Sequence, residues 1–313
     1  MKTKILLLVS IFLLGCGRGH NADKEPIAIS GAFALYPLTV KWAEEYRKIH
    51  PETQIDISAG GAGKGLTDAL AGAVDLGMFS RAISPSELAK GVWFVAVTKD
   101  AVLPTISRKN PYRGYLHSKG LTREQLRKIF LTGEITSWNQ IVGSGSEPIH
   151  VFTRSDACGA AETWAAYLGG RQEGLRGTGI YGDPGLASVV ADDPFGIGFN
   201  NTIYVYDNNT DSLRPGMDVA WIDVDSDGTL SQREQFYGSF SGILTAIGVE
   251  QYPSPPARDL YFVSAGQPKK ETVRDFLAWI LSEGQRYVTE AGYVPLPDST
   301  IRSQRGKLGA VTQ

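Results

Sequence analysis

The sequence predicts an α/β protein built on a mixed, mostly parallel sheet flanked by helices. Three observations carry that expectation. Short runs rich in Ile and Val alternate with segments whose apolar residues recur at helical spacing. Glycine-rich turns stand where a strand-like run gives way to a helix-like one, as at Gly31 and Gly60-Gly61. The alternation also recurs from Pro26 to the C-terminal region with no repeat period and no low-complexity stretch. Sheets of this kind take their ligands at the carboxyl ends of the strands.

The elements follow in order. Ile27 to Ser30 reads as a brief strand, and Pro37 occupies a first-turn position of a helix whose buried stripe is Leu38, Trp42 and Tyr46. The unit then repeats. Ile55 and Ile57 lead into Gly60-Gly61-Ala62-Gly63-Lys64-Gly65, Leu66, Ala69 and Leu70 give a short helix face, and Val74 to Met78 forms the next strand. Thr122 and Gln125 have the spacing of a capping box, with Leu126, Ile129 and Phe130 behind it. Ile149 to Phe152 is a strand running into Thr153-Arg154, followed by a helix from Ala160 to Leu168. Gly216 to Ile222 and Asp259 to Ser264 read as strands. Val273, Phe276, Leu277 and Ile280 mark a long amphipathic helix expected to end near Gly292.

Ahead of this lies a targeting segment. Lys2 and Lys4 precede the uncharged run Ile5 to Gly15, which has the length of a signal-peptide core and is too short to span a bilayer as a helix. Leu13-Leu14-Gly15-Cys16 resembles the bacterial lipobox. Residues 1–15 are therefore expected to be a lipoprotein signal peptide, Cys16 the lipidated first residue, and 16–25 a polar tether holding an extracytoplasmic protein to a membrane. Removing Lys2 and Lys4 leaves 29 basic against 33 acidic residues, a net charge of −4. No basic stripe is present, so nucleic acid is excluded as a partner class. Cys158 is the only other cysteine, so no intramolecular disulfide is expected once Cys16 carries lipid.

Three strand-to-helix loops, Ala32 to Tyr36, Gly60 to Gly65 and Ser155 to Ala160, offer unpaired amides and the positive ends of helix dipoles, the makings of an anion site. Arg154 ends a strand just before a helix, where its guanidinium can grip an oxyanion with two prongs; the plainer use is an ion pair with Asp156. Arg81, after Ser80 at the end of the strand Val74 to Met78, has the same placement and the same alternative.

A second pattern is independent of these. Asp223, Asp225, Asp227, Thr229 and Glu234 hold the ligand positions of a twelve-residue EF-hand loop, residues 223–234, and predict a calcium ion. The strand-like residues before Asp223 point to an isolated loop bracing the fold, not to a paired sensor. An enzymatic alternative makes Cys158 a nucleophile beside Arg154, acting on a phosphoester. The Cys-x5-Arg loop of a phosphatase is missing, and none of His20, His50, His117 and His150 stands in a motif for a base.

Several segments, in order along nearly the whole mature chain, carry a family resemblance: Ser30-Gly31-Ala32 with Tyr36-Pro37-Leu38; Val74-Asp75-Leu76-Gly77 with Ser80-Arg81; Leu121-Thr122 through Trp138; Thr153-Arg154-Ser155-Asp156; Gly196-Ile197-Gly198-Phe199; and Phe276 through Leu296. They resemble the phosphate-binding proteins of bacterial ABC importers, a branch of the type II periplasmic binding fold. The resemblance implies a first lobe from residues 26–105 plus 256–305, a second lobe from 106–255, and a two-segment hinge.

It also implies a monomer that captures phosphate or a related oxyanion in the cleft and delivers it to a transmembrane permease, with sensing as the alternative to uptake. Its site would be formed by Ala34, Leu35, Gly61, Ala62, Ser80, Arg81, Arg154, Cys158, Gly159 and Ala160. In the family, loop amides, short hydroxyl side chains, one arginine and a proton-accepting aspartate hold the ligand. Here Arg154 matches the arginine. Leu35 and Gly61 fall where hydroxyl residues often stand, Cys158 and Ala160 replace two more, and Ser80 falls near the aspartate. Each lost hydroxyl donor removes about 1 kcal/mol of net binding, more toward a charged ligand, whereas backbone amides survive any substitution.

Overall fold

A computed structural model describes residues 25–309; the signal peptide 1–15, Cys16 and the tether up to residue 24 lie outside the described residues. The strands are β1 (Ile27–Gly31), β2 (Ile55–Ala59), β3 (Leu76–Phe79) and the 16-residue β4 (Val92–Ser107). After them come β5 (Leu121–Thr122), β6 (His150–Arg154), β7 (Thr178–Ile180), β8 (Gly196–Asn201), β9 (Tyr206–Asp207), β10 (Ser212–Leu213), β11 (Met217–Val219), β12 (Ile222–Asp223) and β13 (Ala257–Ala265).

One hydrogen-bonded path runs β2-β1-β3-β13-β4-β8-β6-β7, with β11 also on β4. The triplet β2-β1-β3 is parallel, as is β8-β6-β7, while β13 and β4 are antiparallel to their neighbours. The expected mixed, mostly parallel sheet is therefore present. Helices Tyr36–Ile49 and Ala62–Leu70 connect β1 to β2 and β2 to β3, and helix Gly159–Leu168 follows β6. Leu38, Trp42 and Tyr46 are buried as their spacing predicts. The Thr122–Gln125 capping box forms, each side chain bonding the other's amide, at 2.9 and 3.2 Å.

The hydrophobic core divides in two. One cluster includes Leu38, Trp42, Phe79, Phe262, Phe276 and Val288; the other includes Leu126, Phe130, Trp164, Phe199 and Ile243. Each fully buried side chain of this size contributes about 1.5–3 kcal/mol by leaving water. β4 and β13 serve both clusters. The changeover falls between Val97 and Ala101 on β4 and between Ala257 and Leu260 on β13. Among the described residues, no helix is long and apolar enough to cross a membrane.

Two expectations need correction. The long C-terminal helix stops at Ile280 and resumes as a short turn, Glu283–Gln285, and a helix, Arg286–Glu290. Ser282 leaves helical space at φ −128 and ψ −99. The break is stabilised from afar: Trp42 Nε1 donates to the Gly284 carbonyl at 2.8 Å, and Gln285 Nε2 donates to the carbonyls of Ile280 and Val97. The strand expected over Gly216 to Ile222 is two, because β11 pairs with β4 and the chain then turns at Ala220-Trp221 to pair β12 with β5.

Candidate oxyanion site

The three loops singled out by their glycines and helix starts meet across the junction of the two halves. Gly63 N–H donates to the Ala157 carbonyl at 3.1 Å, so the turn after β2 rests on the turn after β6. Gly61 has φ +89, and a Cβ there would lie 2.9 Å from both Ala157 O and Asp156 Oδ2; only glycine permits that approach. Gly159, at the start of its helix, sits so close to Ser80 that a Cβ would fall 2.2 Å from the Ser80 carbonyl oxygen. The amides of Gly159 and Ala160 are first-turn donors with no acceptor inside their helix.

Arg154 lies at the centre of this junction. Its side chain is fully enclosed, at 0% exposure. Nε and Nη2 donate to the two oxygens of Asp156 at 2.8 and 2.7 Å, and Nη1 donates to Asp183 Oδ2 at 2.5 Å. A guanidinium carries five N–H donors, so one on each terminal nitrogen is left without an acceptor. The Phe33 ring lies 5.7 Å from the guanidinium carbon and packs edge-on against Tyr181, while the Phe33 carbonyl accepts from Tyr204.

Behind Arg154 runs a buried chain of alternating charge. Asp183 accepts from Asn201 Nδ2, Asn201 Oδ1 accepts from Arg258, and Arg258 pairs with Asp100 at 2.8 Å. Arg258 and Asp100 face each other in the β13–β4 register where the core changes over, so the network links the anion loops to the crossing strands. Burial lowers the affinity of Arg154 for its proton, but the Asp183 and Asp156 carboxylates outweigh that and hold its pKa above the ordinary value. Burial pushes the Asp183 carboxyl up against the pull of Arg154 and Arg258.

The other expected residues are placed as follows. Leu35 and Ala34 are buried in the first core cluster, so their side chains face away from the junction. Ala62 and Ala160 are buried at the starts of their helices. Arg81 is not part of the Arg154 cluster. It makes a two-pronged pair with Glu87 at 2.6 and 3.0 Å, lies over Phe79, and lines open cavities of about 580 and 660 Å³. Cys158 lines the smaller one with it.

Burial pushes the Cys158 thiol up to about 12 despite the neighbouring Arg154, and Sγ accepts from the Ala161 amide as a helix cap. A buried thiol held in its protonated form is a poor nucleophile, which counts against the enzymatic alternative. Sequence reasoning missed Phe33, Asp183, Asn201 and the Arg258–Asp100 pair. Only Gly182-Asp183-Pro184, a turn followed by a helix, carried a local hint.

Strand-end loops from two halves, closing over an enclosed arginine with spare donors, define a small-ligand-binding protein of the two-lobed class. The chain belongs to the PBP superfamily, whose domain model matches residues 17–284. Among curated relatives, the phosphate-binding protein PstS of Bacillus subtilis is 24% identical over 330 residues, covering 98% of each chain. A Clostridium perfringens phosphate ABC transporter substrate-binding protein, solved with bound phosphate, has the same fold at TM-score 0.71 and 24% identity, covering 87% of this chain and 100% of that one. An ABC-type phosphate transport receptor from Vibrio cholerae has TM-score 0.63 and 21% identity, with coverage of 87% and 100%.

Proposed function

We propose that this protein is an extracytoplasmic solute-binding lipoprotein that captures phosphate and delivers it to an ABC importer permease. The observation that carries the reading is the enclosed Arg154, whose guanidinium keeps two N–H donors without acceptors. An enclosed, unpaired donor face is costly unless a ligand fills it, and an oxyanion matches its geometry and sign. The printed names of the relatives, PstS of Bacillus subtilis and the phosphate-bound Clostridium perfringens protein, support phosphate as that ligand. The two core clusters act as lobes that part and close about β4 and β13, and Cys16 carries the membrane anchor of a monomeric receptor.

A second oxyanion is the competing reading, because the family resemblance implies hydroxyls or an aspartate where this chain has Leu35, Gly61, Cys158, Ala160 and Ser80. Titration calorimetry with phosphate, arsenate, sulfate and a phosphonate decides between them. Phosphate is expected to bind most tightly. Tighter binding of sulfate would transfer the site to a fully ionised oxyanion, and no heat with any of the four would overturn oxyanion capture altogether.

A further inference from the structure

The acidic loop that begins at the end of β12 contributes no residue to the oxyanion site. One carboxylate oxygen from each of Asp223, Asp225 and Asp227 falls within 4.8 Å of the others. Asp225 and Asp227 are exposed, but Asp223 is only 1% exposed. Its Oδ2 accepts the Gly228 amide at 2.9 Å; its Oδ1 is enclosed and has no hydrogen-bond partner. A carboxylate oxygen shut away from water without a donor is expensive, and among the described residues no side chain or amide donates to it. The oxyanion site makes the contrast plain, since every buried carboxylate there has an arginine against it.

We propose that the loop Asp223 to Glu234 binds a calcium ion that braces the second half of the protein. Asp223, Asp225 and Asp227 supply carboxylate oxygens at the first, third and fifth positions, and Thr229 stands at the seventh, where the backbone carbonyl is the ligand. Glu234 stands at the twelfth. Its Oε1 accepts the Val224 amide at 2.7 Å and its Oε2 accepts the Ser231 amide and hydroxyl at 2.9 and 2.7 Å, which closes the loop on itself. An all-oxygen set of this charge suits a hard cation with flexible coordination.

The brace has a mechanical address. Asp223 lies opposite Thr122 in the β12–β5 pair, and Thr122 caps the helix Arg123–Arg127. Arg123 Nε in turn donates to the carbonyl of Tyr167, near the end of helix Gly159–Leu168, whose first turn faces the oxyanion junction. A cation that fixes Asp223 therefore fixes the support under that helix, without touching Arg154.

The test uses the full mature chain, stripped with chelator and then titrated with calcium chloride or magnesium chloride while the melting temperature is followed. Calcium at about tenfold above its dissociation constant adds roughly 1.4 kcal/mol of linkage, a rise of roughly 2 °C for a chain of this size. Because Asp225 and Asp227 are exposed, Asp225→Asn with Asp227→Asn is expected to fold as before in chelator and to lose the calcium-dependent rise. Direct titration should give one calcium per wild-type chain and none per variant. An equal rise in wild type and variant, or an equal response to magnesium, would overturn the assignment, as would the absence of any bound calcium.

Discussion

Arg81 and Arg154 look alike on paper. Each stands at the end of a strand with a helix following and an acidic residue within reach, and donor counting does not separate them. Each guanidinium spends three N–H donors on the protein, Arg81 on Glu87 and the Ala82 carbonyl, Arg154 on Asp156 and Asp183. The surroundings separate them. The Arg81 side chain is 23% exposed and faces open cavities, so water can serve its spare donors. Arg154 is at 0%, pinned between carboxylates that come from two turns 27 residues apart in sequence, Asp156 and Asp183. Enclosure, not residue type or position on a strand, turns an arginine into a site that calls for a ligand.

Enclosure is also the easiest part of the comparison to break. Cys158 caps the helix beside Arg154, and burial moves its pKa from 9.0 to about 12. At pH 8 the thiolate is then scarcer than in an ordinary thiol by about a thousandfold, and alkylation should slow by at least that factor. Native protein treated with iodoacetamide at pH 8 is expected to stay unmodified at Cys158 on a timescale that labels the urea-unfolded chain completely. Rapid native labelling, read by mass spectrometry, would mean that the junction opens to water and that Arg154 resembles Arg81 after all.

The next effect in size concerns the ligand. Arg154→Lys keeps the positive charge between Asp156 and Asp183 but loses the two-pronged face. Losing one charge-assisted bond costs about 1.5–3 kcal/mol, so phosphate affinity by calorimetry should fall about tenfold to a hundredfold. Arg81→Lys is the control, with affinity expected within about twofold of wild type. Equal losses in both variants would erase the distinction between the two arginines, and an unchanged Arg154→Lys would remove Arg154 from the site.

What the sequence made legible, and what it hid, follows the range of the interactions. The helix over Tyr36–Ile49, the capping box at Thr122 and the strand running into Arg154 each depend on residues a few positions apart, so their patterns are local. The break after Ile280 depends on Trp42, 242 positions from Gly284, and no periodicity within the helix records it. The same holds for the oxyanion junction. Arg154 was visible as a strand-end arginine, but Asp183 lies 29 residues away and the Arg258–Asp100 pair spans 158. Leu35 shows the converse error: its position in the loop pointed to ligand, while its apolar side chain went to the core.

The smallest expected effect tests the Arg81 side of the comparison through pH. Burial alone would push the Glu87 carboxyl up, but the Arg81 guanidinium and the Ser84 amide outweigh it and hold it at about 2, against an ordinary 4.5. A folded-state value below the unfolded one means that the pair's stabilisation is complete above about pH 4.5 and is lost as pH falls toward 2. Glu87→Gln keeps an oxygen for Arg81 and Ser84 but never carries the charge. Its melting temperature should lie roughly 1–2 °C below wild type at neutral pH, for about 1 kcal/mol. The gap should narrow below pH 4.5 and close near pH 2, with phosphate affinity at neutral pH unchanged. A gap that persists unchanged at pH 3 would mean that the charge on Glu87 contributes nothing, and a fall in phosphate affinity would join Arg81 to the oxyanion site from which its exposure separates it.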